Sequence, residues 1–470
     1  MMRFSVHSHV RTLLNNPDFR RLFTGRLVTN AGDSLYFVAA MWLVWDLTGN
    51  EFYTGLAGFL TLAPAGLQFL FGPLVDRWPL RRLLVATQLL QGLLVLSVPA
   101  AHLTGHLSVW LVLAVMPSLA LLNQLVYPAQ TAAIPRIVDK EELVAANSLF
   151  ALAYQGVDAV FNALAGVLVV VVGAVALFTI DAVTFVLAAA LFSTLSVPRT
   201  DDTNVDLDSA SVTRTESPTR GVEPTPDGGQ VPEEAVSEHE ETVAHGPPSD
   251  AAPDGNGGLS GYLADLREGI AYLQGTFLVP MLFGSVVINF ALGGTIAILP
   301  SYAAHVGGVD GYGYLMAALA VGILVGSLAA SSLAGLAFGR LSIVAFLLSG
   351  AAWLGAIAAG WLPVTVALFA LAFVPVGVTN VLIVSVIQAV VPETLLGRVT
   401  AVLGSASAVS TPFGALAGGA AASLVGPVAV ITVAGVAFLL LAIYVASIPT
   451  LRQLPAVGDI DTLAAEQQPT

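Results

Sequence analysis

The sequence has no cysteine, a single lysine (Lys140), and charge on only 10% of its 470 residues. The missing cysteines exclude disulfides, thiolate metal sites and thiol nucleophiles. The shortage of charge excludes a water-soluble globule, in which about 25% of residues are charged. No P-loop, nucleophile elbow or cluster of metal ligands is present, so the sequence reads neither as an enzyme nor as an ATP-driven pump, and it implies no cofactor. The histidines of "HEETVAH" (His239–His245) stand six residues apart and do not share a helical face, so no metal site is read there. No feature points to a nucleic-acid partner.

What fills the chain is apolar: 56% of its residues are hydrophobic. That composition reads as a polytopic membrane protein. The opening "MMRFSVHSHVRTLLNNPDFRRLF" is basic and too polar for a signal peptide, so the first apolar run is expected to stay as a membrane anchor. Runs long enough to cross a bilayer, about 20 residues each, lie near 22–46, 52–75, 83–103, 107–130, 144–170 and 174–197. After a gap they resume near 276–301, 312–336, 341–361, 363–391, 399–424 and 427–449. The expectation is twelve transmembrane helices in an all-α membrane protein, six in each half.

Orientation follows from the basic residues. With the N-terminus in the cytoplasm, all 17 Lys and Arg fall on the inner side, and the outer loops hold only His102, His106, His305 and acids such as Asp46, Glu51 and Asp310. The positive-inside rule then places both termini in the cytoplasm and the protein in the cell membrane.

Acid is concentrated in one segment. Residues 200–258 hold 14 Asp and Glu against Arg214 and Arg220. Pro, Gly, Ser and acids dominate there without apolar periodicity, the composition of a disordered segment. The expected domains are therefore 1–197, a six-helix bundle; 198–260, an acidic cytoplasmic linker; 261–450, a second bundle; and 451–470, a cytoplasmic tail. "SGYLADLREGIAYL" (Ser260–Leu273) reads as an amphipathic surface helix leading the second bundle.

The halves repeat. "FNALAG" (Phe161–Gly166) is matched by "FGALAG" (Phe413–Gly418), each followed by a Gly-containing turn and another apolar span. "IPRIVDKEELVAANS" (Ile134–Ser148) and "VPETLLGRVTAVLGS" (Val391–Ser405) form similar entries before them. Two parallel six-helix repeats about an axis normal to the membrane are one transporter build.

"GPLVDRWPLRR" (Gly72–Arg82) joins the second and third spans. Its charges belong at the water interface, since Asp or Arg costs ~2.5–3.5 kcal/mol at a helix centre. Gly72, Asp76, Arg77, Arg81 and Arg82 resemble the motif that the major facilitator superfamily carries at this place. Pro79 and Leu80 stand where that motif has its second glycine and its first arginine. "NPDFRRLF" (Asn16–Phe23), "LVTNAGDSLYFVAAMWLVWDLTGN" (Leu27–Asn50) and "VPETLLGRV" (Val391–Val399) are similar to the branch with enterobactin and macrolide exporters. The fifth span departs from proton-coupled drug exporters: Phe161 and Asn162 replace their Gly-Pro. The resemblance implies that Asp76 braces the inner ends of the halves, with Arg136 and the region of Arg398 as partners and Gly72 allowing close helix approach.

Intramembrane carboxylates mark function by default. Three are present, Asp33, Asp158 and Asp181, all in the first half. Asp33 shares a helical face with Arg26, Asn30 and Phe37, on a span that lines the central cavity in the superfamily. Asp158 shares a face with Gln155 and Asn162. Asp181 lies nearer the outside and reads as a structural hydrogen-bonding group. Asp33 and then Asp158 are the candidates for proton coupling. Asn30, Phe37, Asn123, Tyr127, Asn289 and Asn380 are candidates for the substrate cavity. Gly322-x-x-x-Gly326 and Gly414-x-x-x-Gly418 read as helix-packing patterns.

The expected function is a monomeric secondary transporter, a proton-coupled exporter of an amphipathic or hydrophobic small molecule. An uptake or Na⁺-coupled carrier, or a non-transporting sensor or scaffold on the same fold, are the alternatives.

Overall fold

The computed structural model describes residues 12–70, 78–139, 142–196 and 267–459. The acidic linker, 198–260, lies outside the described residues. Twelve helices carry the fold: α1 (Pro17–Thr48), α2 (Glu51–Leu62), α3 (Leu80–Leu103), α4 (Val109–Ile137), α5 (Leu143–Val172) and α6 (Ala174–Ser193), then α7 (Leu278–Val306), α8 (Gly308–Leu333), α9 (Phe338–Ala358), α10 (Leu362–Val390), α11 (Glu393–Val425) and α12 (Pro427–Ser447). All but α2 are long and apolar enough to cross a membrane. Helix is the form that lets such apolar segments satisfy every backbone N–H and C=O internally.

The second span differs from expectation. It is α-helical only to Leu62 and continues as a 3₁₀ helix over Ala63–Leu70. Pro64 and Gly66 fall in this stretch; proline lacks the N–H that an α-helical bond needs, and glycine is a poor helix former. Of the expected amphipathic helix over 260–273, residues 267–273 are described and helical. Its Gly269 packs against the backbone of Arg398, and the Tyr272 hydroxyl donates to the Val390 carbonyl at 3.3 Å.

Local chemistry sets the helix ends. Asn16 caps α1 by accepting from the N–H groups of Asp18 and Phe19 at 3.0 and 3.1 Å, with Pro17 next to it. The α5–α6 and α11–α12 turns are single glycines of the same conformation, Gly173 at φ 85, ψ 154 and Gly426 at φ 86, ψ 155. A side chain would be strained at both. They stand behind the matched "FNALAG" and "FGALAG" segments, so the repeat extends to the backbone.

Within the first half α6 packs on α1 and α3, and α5 packs on α1. Within the second, α8 packs on α10, α7 on α11, and α9 on α10 and α12. Small residues set these approaches. Gly322 faces Ala370 and Phe373, Gly326 faces Val374 and Gly377, and Gly418 faces Gly294. The two small-residue patterns are thus helix contacts. Trp353 anchors the second half, with ring centroids 5.0, 5.3 and 5.6 Å from Phe369, Phe373 and Phe438 and its indole N–H donated to Ile431 O at 2.9 Å.

Two helix pairs, α5 with α8 and α2 with α11, make the main joins between the halves. Both do so at the end of the bundle away from the chain termini, here called the distal end. Gly166 of α5 lies on the backbone of Gly313 of α8, and Gly55 of α2 lies on Gly419 of α11, with no room for a Cβ at any of the four. Aromatic rings reinforce the seam: Trp42 stacks on Tyr312 at 5.4 Å, and Phe59 meets Phe413 edge-on at 5.4 Å. The Tyr312 hydroxyl also donates to Val38 O at 3.3 Å.

Candidate functional site

The site begins at the middle of α1. Helical spacing puts Arg26, Asn30, Asp33, Ser34 and Phe37 on neighbouring positions of one side of this helix. Asp158 stands midway along α5, opposite that side. The Asn30 amide donates to Asp158 Oδ1 at 2.8 Å, and the Ser34 hydroxyl donates to the same oxygen at 3.0 Å. Asp158 is itself exposed, whereas Asp33 lies deeper with only part of its surface accessible. The Asn123 amide of α4 donates to Asp33 Oδ2 at 3.4 Å. The first-half polar candidates therefore resolve into two pairs, Asn30 with Asp158 and Asn123 with Asp33.

Arg26 does not pair directly with Asp33. It is buried, and its Nε donates to Gln130 Oε1 at 3.0 Å and to the Tyr154 hydroxyl at 3.1 Å, while Nη1 donates to Thr29 Oγ1 at 3.2 Å. The Tyr154 hydroxyl also donates to Gln130, and the guanidinium sits 5.6 Å from the Tyr154 ring centroid. A buried charge needs such a hydrogen-bond shell or a counter-charge.

A cavity of about 560 Å³ opens beside Asp158 between the halves. Asp158 and Asn162 of α5, Leu319, Ile323 and Ser327 of α8, and Asn380, Val384 and Ser385 of α10 line it. The volume is within the roughly 300–1,000 Å³ typical of small-molecule sites. These residues lie beyond the Gly166–Gly313 contact, toward the end that carries the chain termini. The halves are closed on the distal side of the cavity.

Other expected cavity residues fall elsewhere. Asn289 of α7 donates to Ser285 O at 2.9 Å and accepts from Thr411 Oγ1 of α11 at 3.4 Å, which places it in the α7–α11 seam. Phe37 is partly buried against the apolar core, and Tyr127 is exposed on α4. Asp181 is fully buried: Oδ1 accepts from Thr184 Oγ1 at 3.1 Å, while Oδ2 and the nearby buried Tyr36 hydroxyl have no partner.

Gly72, Asp76 and Arg77 of the expected gate lie outside the described residues. Arg81 and Arg82 are exposed at the start of α3, and Arg136 is exposed in the last turn of α4. Arg398, at the start of α11, donates to Glu268 Oε1 at 2.8 Å.

Sequence reasoning did not single out Ser34, Tyr154, Ser327 or Ser385. Ser34 had a usable signal, one helical turn beyond Asn30. Tyr154 lies one turn before Asp158. The two cavity serines sit in plain apolar helices, where serine commonly bonds its own backbone, as Ser385 does to Val381 O at 3.2 Å.

Residues 11–210 match a family model described as transmembrane secretion effector. A stretch of 133 residues is 28% identical to an uncharacterized MFS-type transporter of Bacillus subtilis (strain 168), YvqJ, and covers 28% of this chain and 32% of that protein. The match thus spans about a third of the curated relative. Among solved structures, a bacterial homologue of the human lysosomal transporter Spinster, inward-facing and unoccupied, aligns with a TM-score of 0.63 at 12% identity, covering 92% of this chain and 96% of that one. A bacterial homologue of the iron transporter ferroportin, inward-facing, aligns at 0.57 and 16% identity over 91% and 97%. A D-xylose-proton symporter aligns at 0.57 and 12% identity over 93% and 98%. The chain is a multi-pass membrane protein with the major facilitator fold, similar through residues 11–210 to the transmembrane secretion effectors.

Proposed function

We propose that the protein is a secondary transporter that exports an amphipathic or hydrophobic small molecule in exchange for protons, with both termini in the cytoplasm. The observation that carries this reading is a mid-membrane carboxylate, Asp158, on the wall of a cavity between the halves, with a second, Asp33, on the neighbouring helix α1. Substrate and coupling sites at the bilayer midplane, between repeats that rock about them, are the physical plan of this transporter class. With the termini inside, closure at the distal end makes this the inward-facing state, in which an exporter loads its cargo.

Asp33 is the coupling group in this reading. It is deep enough for charge to be costly, and it retains some accessible surface through which a proton can pass. Arg26 attracts its charged form from the cytoplasmic side and favours proton release there. At the inner ends, Asp76 is the brace once the cytoplasmic side closes, against Arg136 and the start of α11, while Gly72 allows close helix approach and Arg77, Arg81 and Arg82 hold the turn at the lipid headgroups. Arg398 would exchange its bond to Glu268 in that step.

The test is ethidium movement in proteoliposomes with an imposed pH gradient. Ethidium transport against its concentration gradient, driven by the pH gradient and absent without it, is expected. Transport that follows a Na⁺ gradient alone, or ethidium bound but never moved under any gradient, would overturn the proposal.

A further inference from the structure

Asp158 presents its carboxyl group to the open space of the cavity between the halves. Its Oδ1 is held by two neutral donors, the Asn30 amide at 2.8 Å and the Ser34 hydroxyl at 3.0 Å. No cation pairs with it among the described residues. Its Oδ2 makes no hydrogen bond among them. Two donors from α1 fix the carboxyl group and leave its second oxygen for a ligand.

Among the described residues the wall around it is otherwise uncharged. Asn162 and Asn380 supply amides, Leu319, Ile323 and Val384 supply aliphatic surface, and no described Lys, Arg or His lines the cavity. A transport cycle must at some stage close this space on both sides. An enclosed carboxylate without a partner is strongly destabilising, and pairing it removes most of that cost. An anionic cargo would worsen the imbalance, and a neutral cargo would leave it. A cargo with one positive charge would cancel it.

Resting on the transporter reading above, we infer that Asp158 is the counter-ion for the cargo, and that the cargo is an amphipathic monocation: one ammonium or onium centre surrounded by apolar groups. One carboxylate on the wall sets the single charge. The aliphatic faces of α8 and α10 take the apolar groups, and the amides of Asn162 and Asn380 bond polar substituents. Asp33 and Asp158 then divide the work. Asp33, deep and bonded to Asn123, carries the proton, and Asp158 carries the substrate's charge.

The experiment is equilibrium binding to the purified full chain in nanodiscs without any gradient. Its probes are tetraphenylphosphonium and tetraphenylborate, ions of nearly one shape and opposite sign. The cation should bind at least about tenfold tighter than the anion, and Asp158→Asn should weaken the cation by about tenfold or more while leaving the anion unchanged. Asp158→Glu, which keeps the charge, should recover most of the affinity. Equal binding of both ions, or cation binding untouched by Asp158→Asn in a protein of normal thermal stability, would overturn the inference. Asp310→Asn, which removes an exposed carboxylate at the distal end, is the second arm: it should leave phosphonium binding intact, and an equal loss of binding there would also overturn the inference. Because binding is read without transport, a protein that binds the cation at Asp158 but moves nothing across vesicles would refute the transporter reading alone.

Discussion

Gly166 of α5 and Gly313 of α8 meet backbone to backbone, and a Cβ on either would overlap the other's main chain. This contact and its counterpart, Gly55 on Gly419, close the distal end of the bundle. A seam of bare backbone has no rotamer to adjust, so it tolerates no added atom.

Gly166→Ala is therefore expected to fold but to prevent the distal seam from closing, shifting the population toward the oppositely open state. The chain has no cysteine, so spin labels can be placed on cysteines introduced at Val172 and Val309, which border one groove at that end. The variant should show a longer inter-label distance, and transport should fall. An unchanged distance distribution would show that the glycines are spacers without a gating role.

Asp33→Asn is expected to abolish transport driven by a pH gradient, because the amide keeps the bond to Asn123 but cannot carry a proton across. Counterflow of ethidium without a gradient should survive, since it needs only the conformational change. Undiminished pH-driven transport would remove Asp33 from the coupling mechanism.

Arg26→Lys should cost stability despite keeping the charge. Lysine has no planar fork to reach Gln130, Tyr154 and Thr29 together. The expected loss is about 1–2 kcal/mol, as for one or two interhelical bonds, read as a lower thermal midpoint by tryptophan fluorescence in detergent. An unchanged midpoint would mean that the network does not hold α1 to α4 and α5.

Asp181→Asn should be tolerated. The amide oxygen can still accept from Thr184, and the position's second oxygen, Oδ2, has no partner to lose. Stability is expected to stay within about 0.5 kcal/mol of the native chain, with transport retained. A large loss of pH-driven transport in a well-folded variant would instead make Asp181 part of the proton path.

Apart from the second span, which is α-helical only to Leu62, the spans, their approximate ends, the six-plus-six division and the repeat were legible in the amino-acid sequence. Span length and apolar content are properties of contiguous residues, and a segment that must satisfy its backbone inside a bilayer has little choice but helix. The sequence also named the acids of the candidate site, because charge in an apolar run stands out. It did not show which side chain answers which. Arg26, Asn30 and Asp33 share a face by helical spacing, yet Arg26 turns to Gln130 and Tyr154, and the Asn30 amide goes to Asp158, 128 residues away. Periodicity tells which way a side chain points from its own helix. Partners come from other helices, and only their packing decides them. The same holds for the closed end: Gly55, Gly166, Gly313 and Gly419 look like four ordinary glycines among the chain's 45. They become a closed seam because α2 meets α11 and α5 meets α8 where each lacks a side chain, a coincidence that exists only in three dimensions.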